Sequence, residues 1–207
     1  MSNLGDLIRR WQPGWALARG FAAAVEERGA LHVPVGEKGR QVEVVVLEAG
    51  AVAALAADLA DDHWLTVPTT DCDGVLRIFD DAGLTVLRTE SLMSRDLRDR
   101  PAHKPPVGYT VSTSATDGVI TTRIECDGEE AAGGMMPLVG TDAVAHNIVT
   151  SPRHRRRGLA SAVMSALVDE AAAHGATTGI LIASPAGEGL YNALGWQRHA
   201  TVLVGKR

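Results

Sequence analysis

The stretch that most constrains the fold is RHRRRGLASAVMSAL, residues 153–167, which joins a cluster of arginines to a helical pattern through Gly158. The apolar, alanine-rich residues after Gly158 have the period of an amphipathic helix, and the residues up to Thr150 are typical of a strand. A helix that starts just after a strand directs its unpaired N–H groups toward one point, where the helix dipole adds partial positive charge. Such a corner binds phosphate, so the sequence predicts a phosphate site near Gly158. The alternative is a solvated basic turn.

The residue types at this junction suit an anion. Gly158 lets the backbone approach a ligand without a side chain in the way, and Ala160 keeps the next exposed position small. The arginines add charge-assisted hydrogen bonds. The chain has neither the GxxxxGK(S/T) nor the GxGxxG spacing, which excludes the two commonest phosphate loops.

The bulk composition is that of a globular protein. Of the 207 residues 45% are hydrophobic, and no run approaches the roughly 18 apolar residues of a membrane-spanning helix. The net charge of −5 argues against a general nucleic-acid binder. We therefore expect a cytoplasmic protein with no membrane or nucleic-acid partner, with Cys72 and Cys126 as reduced thiols. We expect no metal, because the histidines share no ligand spacing.

The second half of the chain predicts a mixed sheet. Short strand-like runs separated by turn residues indicate an antiparallel meander; they cover residues 107–114, 118–126, 129–139 and 142–150. A series of strand and helix patterns follows, with a helix at 158–174, a strand at 177–183, a helix at 185–194 and a strand at 196–204. This order indicates an α/β fold, with helices packed on a mixed sheet.

The first half predicts a similar order. One or two helices, broken near Pro13 and Gly14, precede a series with a strand at 41–48, a helix at 49–62, a strand at 63–68, a helix at 73–83 and a strand at 84–93. FDDAGL (79–84) aligns with YNALGW (191–196), which suggests a decayed internal duplication; the alternative is that any strand–helix–strand unit can end this way. The charged, proline-rich residues 94–108 are interpreted as a linker, so we predict an N-terminal α/β region at 1–100 and a second domain at 101–207.

At this point the sequence resembles a known family. RRRGLA, residues 155–160, is similar to the Arg/Gln-x-x-Gly-x-Gly/Ala motif of the GNAT superfamily of acyl-CoA-dependent N-acetyltransferases. NIVTSP precedes it, and GLYNALGW (189–196) resembles the Leu-Tyr-x-x-Leu-Gly-Phe motif of that family. The resemblance covers about residues 107–204 and implies a GNAT-like fold and acetyl-CoA as the acyl donor.

The resemblance also implies a cofactor site. Backbone groups of Ile148, Val149 and Thr150 would pair with the pantetheine arm of acetyl-CoA. The motif residues would hold the pyrophosphate; they are Arg155, Arg156, Arg157, Gly158, Leu159, Ala160 and Ser161. Family members often have an Asn seven residues before the tyrosine, where this chain has Ser184, which could keep a single hydrogen bond.

The chemistry of acetyl transfer suggests two catalytic candidates. Tyr191 stays protonated at neutral pH and can donate to the departing thiolate; its alternative role is a core aromatic beside Trp196. His146 titrates near neutrality and is a candidate general base, although a structural strand histidine is the more common case. The strand at 177–183 contains no carboxylate, and Glu125 and Asp142 are weaker options for a base. A backbone N–H near Val149 is the expected oxyanion donor.

The chain departs from the family at the acceptor side. GNAT domains usually place two helices after their first strand, but here VGYTVSTS passes through ATD directly into GVITTRIEC. We therefore expect residues 1–100 to replace this wall, with the acceptor between the halves and Trp11, Trp15 and Trp64 as its lining; ordinary core tryptophans are the alternative. The last strand leaves an edge that the N-terminal half or, in a homodimer, a second subunit would cover.

The predicted function is an acetyl-CoA-dependent N-acetyltransferase acting on a small-molecule or peptide amine. Two other classes stay open. One is an acetyl-CoA-binding sensor or scaffold without turnover, which the missing carboxylate favours. The other is a non-enzymatic module whose arginines hold an acidic polymer.

Overall fold

The computed structural model describes residues 3–99 and 102–207, and within them twelve strands form one mixed sheet. The strands of the first half are β1 (Val25–Glu27), β2 (Ala30–Glu37), β3 (Arg40–Val46), β4 (His63–Thr69) and β5 (Thr85–Asp96). Those of the second half are β6 (Thr110–Thr116), β7 (Val119–Cys126), β8 (Glu129–Val139), β9 (Asp142–Val144), β10 (His146–Thr150), β11 (Thr178–Ala183) and β12 (Gln197–Lys206). The helices are α1 (Leu4–Arg19), α2 (Val52–Ala57), α3 (Cys72–Asp81), α4 (Leu159–Ala173) and α5 (Pro185–Ala193).

The two halves exchange their last strands. The order across the sheet is β1-β2-β3-β4-β12-β5-β11-β9-β8-β7-β6, with β10 paired to β8. β12 therefore lies beside β4 of the first half, and β5 lies beside β11 of the second half. β5 and β12 pair antiparallel at the centre, from Gln197 opposite Ser94 to Lys206 opposite Thr85. Each half contributes a strand to the other half's sheet, and the N-terminal half covers the edge of β12 as expected.

Each half has the same local order, as the suspected duplication requires. β3 and β4 are parallel and joined through α2, and β9 and β11 are parallel and joined through α4. Each pair is followed by a helix and by the strand that is exchanged. The mixed α/β fold predicted from the sequence is confirmed; a boundary at residue 100 stays a prediction.

The alternating strand residues divide the core between the two faces of the sheet. On one face, α1 packs Ile8, Trp11 and Trp15 against Val202 and its neighbours. On the other face, two clusters form, one under α2 and α3 around Phe79 and one under α4 and α5 around Leu167. The helix α1 therefore has one sheet face to itself, and that face spans strands of both halves.

The helix α1 is continuous, so the break predicted near Pro13 is wrong. The Asn3 side chain accepts from the Gly5 N–H at the start, and Gly20, with φ 67°, ends the helix in the left-handed conformation. The Pro13 ring lies on the exposed side, where the carbonyl that loses its helical partner can reach water. Burial of the two flanking tryptophans holds the helix together across the proline.

Other boundaries also differ from the sequence prediction. The first helix after β3 is a 3-10 turn at Ala49–Ala51 followed by the short α2, rather than one helix over 49–62. β1 and β2 were not predicted, because Pro34 and two charged turns interrupt the alternation of residues 25–40. β5 continues to Asp96 into the predicted linker, since its pairing with β11 extends that far. Within the described residues, no helix is both long and apolar enough to span a bilayer.

The helix α1 docks closely on β8 and β9. The Arg10 guanidinium donates to both oxygens of Asp142, at 2.9 Å and 2.5 Å. A methyl group on Gly14 would lie 2.7 Å from Val144 Cβ, closer than packed carbon atoms approach each other. The N-terminal helix thus covers second-half strands where the sequence lacks the two helices usual in GNAT domains.

The close approach at Gly14 predicts an unusual response to a helix-favouring substitution. Ala normally stabilises a helix relative to Gly by up to about 1 kcal/mol. We expect Gly14→Ala to destabilise the protein instead, by about 1–3 kcal/mol, because the methyl overpacks against Val144. The matched control is Gly189→Ala in α5, where nothing lies within 4 Å of the added methyl. Urea unfolding measures both, and equal free energies of unfolding would contradict the close docking of α1.

Candidate active site

The site begins where two parallel strands part. β9 and β11 pair from Asp142 opposite Thr178 to Val144 opposite Ile180, and the Ala145 N–H donates to the Ile180 carbonyl at 3.0 Å. Beyond this point β10 pairs with β8, and residues 181–183 pair with β5. Within the described ranges no strand bridges β10 and residues 181–183. We call the resulting gap the strand cleft; its two edges carry backbone groups that the sheet leaves available.

A bulge at Asn147 turns β10 as the cleft opens. His146 lies opposite Met135 and Val149 opposite Gly133, so β10 has one extra residue, and Asn147 has φ 53°. Val144 belongs to the α1 face, whereas Ile148 packs on the α4 face. Residues 144 and 148 would share a face in a regular strand. The bulge therefore changes which side of the sheet each side chain faces and re-aims the backbone between them.

The arginine–glycine junction, residues 152–158, forms a tight turn at the end of β10. The Ser151 N–H donates to the Ala131 carbonyl at 2.9 Å, and a 3-10 turn follows at Pro152–His154. Arg156 and Gly158 have φ values of 62° and 76°. Gly158 starts α4, no described side chain caps that helix, and nothing lies within 4 Å of a methyl group built on it. The first turn of α4 thus starts without a side-chain cap next to the exposed arginines, and the phosphate site stays a prediction.

The predicted arginines differ in how they are held. The Arg157 Nη1 donates to the Tyr109 hydroxyl at 3.1 Å, and this hydroxyl bonds to His154 Nδ1 at 2.9 Å. Arg155 Nε donates to the Thr150 carbonyl at 3.3 Å. Arg156 is exposed and has no hydrogen bond or ion pair among the described residues. Tyr109, which the sequence did not single out, therefore fixes one arginine beside the helix terminus and leaves another free for a ligand.

Tyr191 and Ser184 lie on the other side of the strand cleft, after β11. Ser184 is the residue before α5, and Tyr191 is buried in that helix, edge-on to Trp196 at 6.1 Å between ring centroids. A methyl group on Gly187 would lie 3.0 Å from Tyr191 Cε2 and 3.6 Å from Ser184 Oγ, so both residues flank the same glycine. Burial raises the pKa of Tyr191 to about 12. The phenol therefore stays protonated over the physiological range.

A cavity of about 120 Å³ lies on the α1 face where β9 and β11 part. Both halves contribute to its wall: Trp11, Trp15, Arg19, Arg40, Glu43, Thr66, Arg88, Glu90, Ala145, His146, Ile182, Val202 and Val204. Of the three predicted tryptophans, two line it directly. Trp64 is not part of the wall but contacts two residues that are, with guanidinium-to-ring distances of 4.7 Å to Arg40 and 5.2 Å to Arg88.

Two titratable residues of this wall have shifted pKa values. Burial, and secondarily the positive charge of Arg19, lower the pKa of His146. Burial raises the pKa of Glu90 above its ordinary value, against the opposing effect of Arg88. Glu43 is buried, paired with Arg40, and accepts from the Thr66 hydroxyl at 2.6 Å. His146 is thus predominantly neutral at pH 7, and Glu90 is a stronger base than an exposed glutamate.

The sequence did not indicate the two carboxylates that line the cavity, Glu43 and Glu90. The bases expected from the sequence were in the second half, where β11 has no carboxylate and Glu125 and Asp142 were the weaker options. Glu125 is exposed and Asp142 pairs with Arg10, and neither lines the cavity. Glu90 comes instead from β5, because the strand exchange puts Ser91 opposite Ala183 at the end of β11. No pattern within either half indicates this pairing.

Comparisons with known proteins agree with this geometry. Residues 118–198 match the family model described as acetyltransferase (GNAT) domain. No curated protein matches the chain. These matched residues include β7 to α5 and the whole arginine–glycine junction.

Solved structures match over a larger share of the chain. A GCN5-related N-acetyltransferase from Kribbella flavida superposes with a TM-score of 0.71 at 17% identity, covering 99% of this chain and 95% of that one. A GCN5-related N-acetyltransferase from Sphaerobacter thermophilus gives 0.66 at 12% identity, covering 86% and 76%. A tandem GNAT protein from the clavulanic acid biosynthesis pathway gives 0.60 at 14% identity, covering 85% and 77%. Residues 118–198 therefore match a GNAT acetyltransferase domain, and the chain has the fold of the GCN5-related N-acetyltransferases with which it superposes, as the sequence resemblance predicted.

Proposed function

We propose that the protein transfers an acetyl group from acetyl-CoA to an amine bound in the cavity under α1. The observation that carries this proposal is the strand cleft, which has an uncapped helix terminus with exposed arginines at one end and the cavity at the other. The GNAT domain match supports acyl-CoA-dependent N-acetyltransferase activity in general. The acceptor is placed at the end of the cleft that the cavity occupies, opposite the end with the arginines.

The residues present fit acetyl-CoA. The uncapped N–H groups of Gly158, Leu159, Ala160 and Ser161 suit a pyrophosphate, because a helix N-terminus stabilises negative charge. Arg155, Arg156 and Arg157 add positive charge there. Those backbone groups of Ile148, Val149 and Thr150 that face the open edge of β10 would pair with the pantetheine arm, and Ser184 would donate from the opposite edge. When bound, acetyl-CoA supplies the acetyl group as a reactive thioester.

Tyr191 and the backbone near Val149 would stabilise the charges that develop in the reaction. Val149 pairs with Gly133 and the Ser151 N–H donates to the Ala131 carbonyl, so the Val149 N–H faces β8 and the next N–H along the strand, that of Thr150, faces the cleft. Because pairing with β8 fixes this strand, a backbone N–H beside Val149 could donate to an oxyanion without rearrangement. A thiol has a pKa of about 8.5, so complete proton transfer from a phenol of pKa about 12 would be uphill by roughly 5 kcal/mol. Tyr191 is therefore better suited to donate a hydrogen bond to the leaving sulfur than to give up its proton.

His146 and Glu90 are the two candidates for receiving the amine proton. Both line the cavity. A lowered pKa keeps His146 neutral and able to accept a proton, but makes it a weak base; a raised pKa makes Glu90 a stronger base than usual. The ionised Glu90 would also attract an ammonium group into the cavity before deprotonation. Substitution of each residue separates these roles.

Binding and turnover should be separable by substitution. We expect Gly158→Asp to weaken acetyl-CoA binding by at least about tenfold, because a carboxylate would face the phosphate groups. The control is Gly140→Asp, a turn glycine with φ 58° and equally open surroundings. We expect Tyr191→Phe to leave binding unchanged and to slow thiol release about 100-fold. Calorimetry measures binding, and free-thiol release with a panel of amines measures turnover.

The outcomes of these assays test the proposal. Equal loss of affinity in the Gly158 and Tyr191 variants would refute the division of roles. If the protein binds acetyl-CoA but releases no free thiol with any amine of the panel, a sensor or scaffold role would be favoured. Absence of acetyl-CoA binding by the unmodified protein would overturn the proposed function.

Glu90 and His146 predict opposite effects of pH on stability. The pKa of Glu90 is raised in the folded state, so its ionised form costs stability above that pKa, and this cost is absent below the unfolded value of about 4.5. We expect Glu90→Gln to raise Tm at pH 7–8, because each kcal/mol gained in the free energy of unfolding raises the Tm of a chain of this size by about 2–4 °C. This gain should disappear toward pH 4.5. The charges facing Glu90 are those of Arg88, Arg40 and Glu43.

For His146 the folded pKa is lowered, so the protein loses stability as pH falls below the unfolded value of about 6.5. We expect His146→Gln to lose less stability than the unmodified protein in that range. The control is Glu125→Gln, an exposed carboxylate outside the cavity. Thermal unfolding across pH 4.5–8 measures all three variants. A Glu90→Gln profile parallel to that of the control would contradict the burial of Glu90.

A further inference from the structure

Among the described residues, the charged side chains that line the cavity have ion-pair partners, except for two, Arg88 and Glu90. Arg40 bonds to Glu43 and lies 3.4 Å from Glu37. Arg19 bonds to the same Glu37 at 2.6 Å. Of the five charged residues that line the cavity, this leaves Arg88 and Glu90, each without a hydrogen bond or ion pair to any described residue.

The two unbalanced residues are held at a fixed spacing. Both lie on β5, with Arg88 opposite Val204 and Glu90 opposite Val202. Residues two apart on a strand share a face and are separated by roughly 7 Å. The Arg88 nitrogens lie more than 4.0 Å from the Glu90 carboxylate oxygens, so the two side chains form no ion pair although both line the same cavity. A positive and a negative group are therefore presented side by side to whatever enters.

The Arg88 guanidinium is positioned by Trp64. Its central carbon lies 5.2 Å from the Trp64 ring centroid. The indole N–H donates to the Gly39 carbonyl at 3.0 Å, which holds the ring in place. A guanidinium over an aromatic ring keeps the N–H groups of its edge available for bidentate binding of a carboxylate. Arg88 is thus arranged as an anion-binding group with no anion of its own.

We propose that the acceptor is a zwitterionic amine of the amino-acid type, whose carboxylate binds Arg88 and whose ammonium group is drawn to Glu90. This inference rests on the proposed function and names its substrate class. A polyamine would bring a second positive charge against Arg88, and an acceptor without an anionic group would leave that guanidinium unbalanced. The apolar side chains of Ile182, Val202 and Val204 offer a surface for the rest of the acceptor.

The chemistry of the transfer is balanced. The amine first loses one proton to a base of the cavity. Its lone pair then forms the N–C bond to the acetyl carbonyl carbon, and the thioester C–S bond breaks with its electron pair on sulfur. The amine nitrogen loses two protons in all, one when the ammonium is deprotonated and one when the amide forms, and the sulfur takes up one of them. The other goes to solvent, and no oxidant, reductant or further reactant is required.

The test compares amino acids with their α-carboxamides, which keep the amine and side chain but lack the negative charge. With acetyl-CoA and free-thiol release as the readout, we expect kcat/KM to be about 10- to 100-fold higher for the acids, the range expected for one charge-assisted pair. Arg88→Met should abolish this preference. The matched control is Arg77→Met, an exposed arginine of α3 outside the cavity, which should keep it.

Binding measured by tryptophan fluorescence gives a second readout, since Trp11 and Trp15 line the cavity. In the presence of coenzyme A, the acids should bind at least about tenfold more tightly than the carboxamides. Equal kcat/KM for acids and carboxamides, an undiminished preference in Arg88→Met, or equal or absent binding of the acids would overturn the inference. Failure of the proposed function is a different result: no acetyl-CoA binding and no thiol release with any amine, charged or neutral.

Discussion

The antiparallel pairing of β5 with β12 is the constraint on which the rest of the molecule depends. Because these two strands cross into each other's halves, neither half has a complete sheet without the other. Removing the first half would leave β11 and β12 without the strand between them, and removing the second would leave β4 without its partner β12. The two regions predicted at 1–100 and 101–207 are thus linked by shared strands.

The same exchange builds the two sides of the candidate site from different halves. The side proposed to bind phosphate, from the bulge at Asn147 through the first turn of α4, is contiguous in sequence and lies wholly in the second half. The cavity side combines His146 and Ile182 with α1 and with Arg40, Arg88 and Glu90 of the first half. Under the proposed function, the first half would contribute acceptor-binding residues without having a phosphate turn of its own, because the strand that carries them, β5, lies beside β11.

This difference explains how far the sequence predicted the site. Gly158 and the arginines lie in a strand–turn–helix pattern, and Tyr191 lies in a short motif that resembles one of the GNAT superfamily, so local segments of sequence were sufficient to propose them as site residues. Glu90 and Arg88 lie in an ordinary strand, LTVLRTESLM, and acquire their position by pairing with Val202 and Val204, which are more than 100 positions away in the sequence. Periodicity specifies that a strand forms and which face is buried, but it does not specify which strand lies next to it. Likewise, Pro13 predicts a break that packing of Trp11 and Trp15 prevents.

The cavity carries a cost that a purely structural interior would not. An ionised carboxylate that is mostly removed from water and lacks an ion pair destabilises the fold, and the raised pKa of Glu90 expresses that cost. The Arg88 guanidinium, two residues from Glu90 on β5, lies over the Trp64 ring instead of closing an ion pair with Glu90. Arg40 and Glu43, which line the same cavity and are three residues apart, do form an ion pair. Because Arg88 and Glu90 do not pair with each other, both remain able to bind a ligand. A ligand with one negative and one positive group could form an ion pair with each of them.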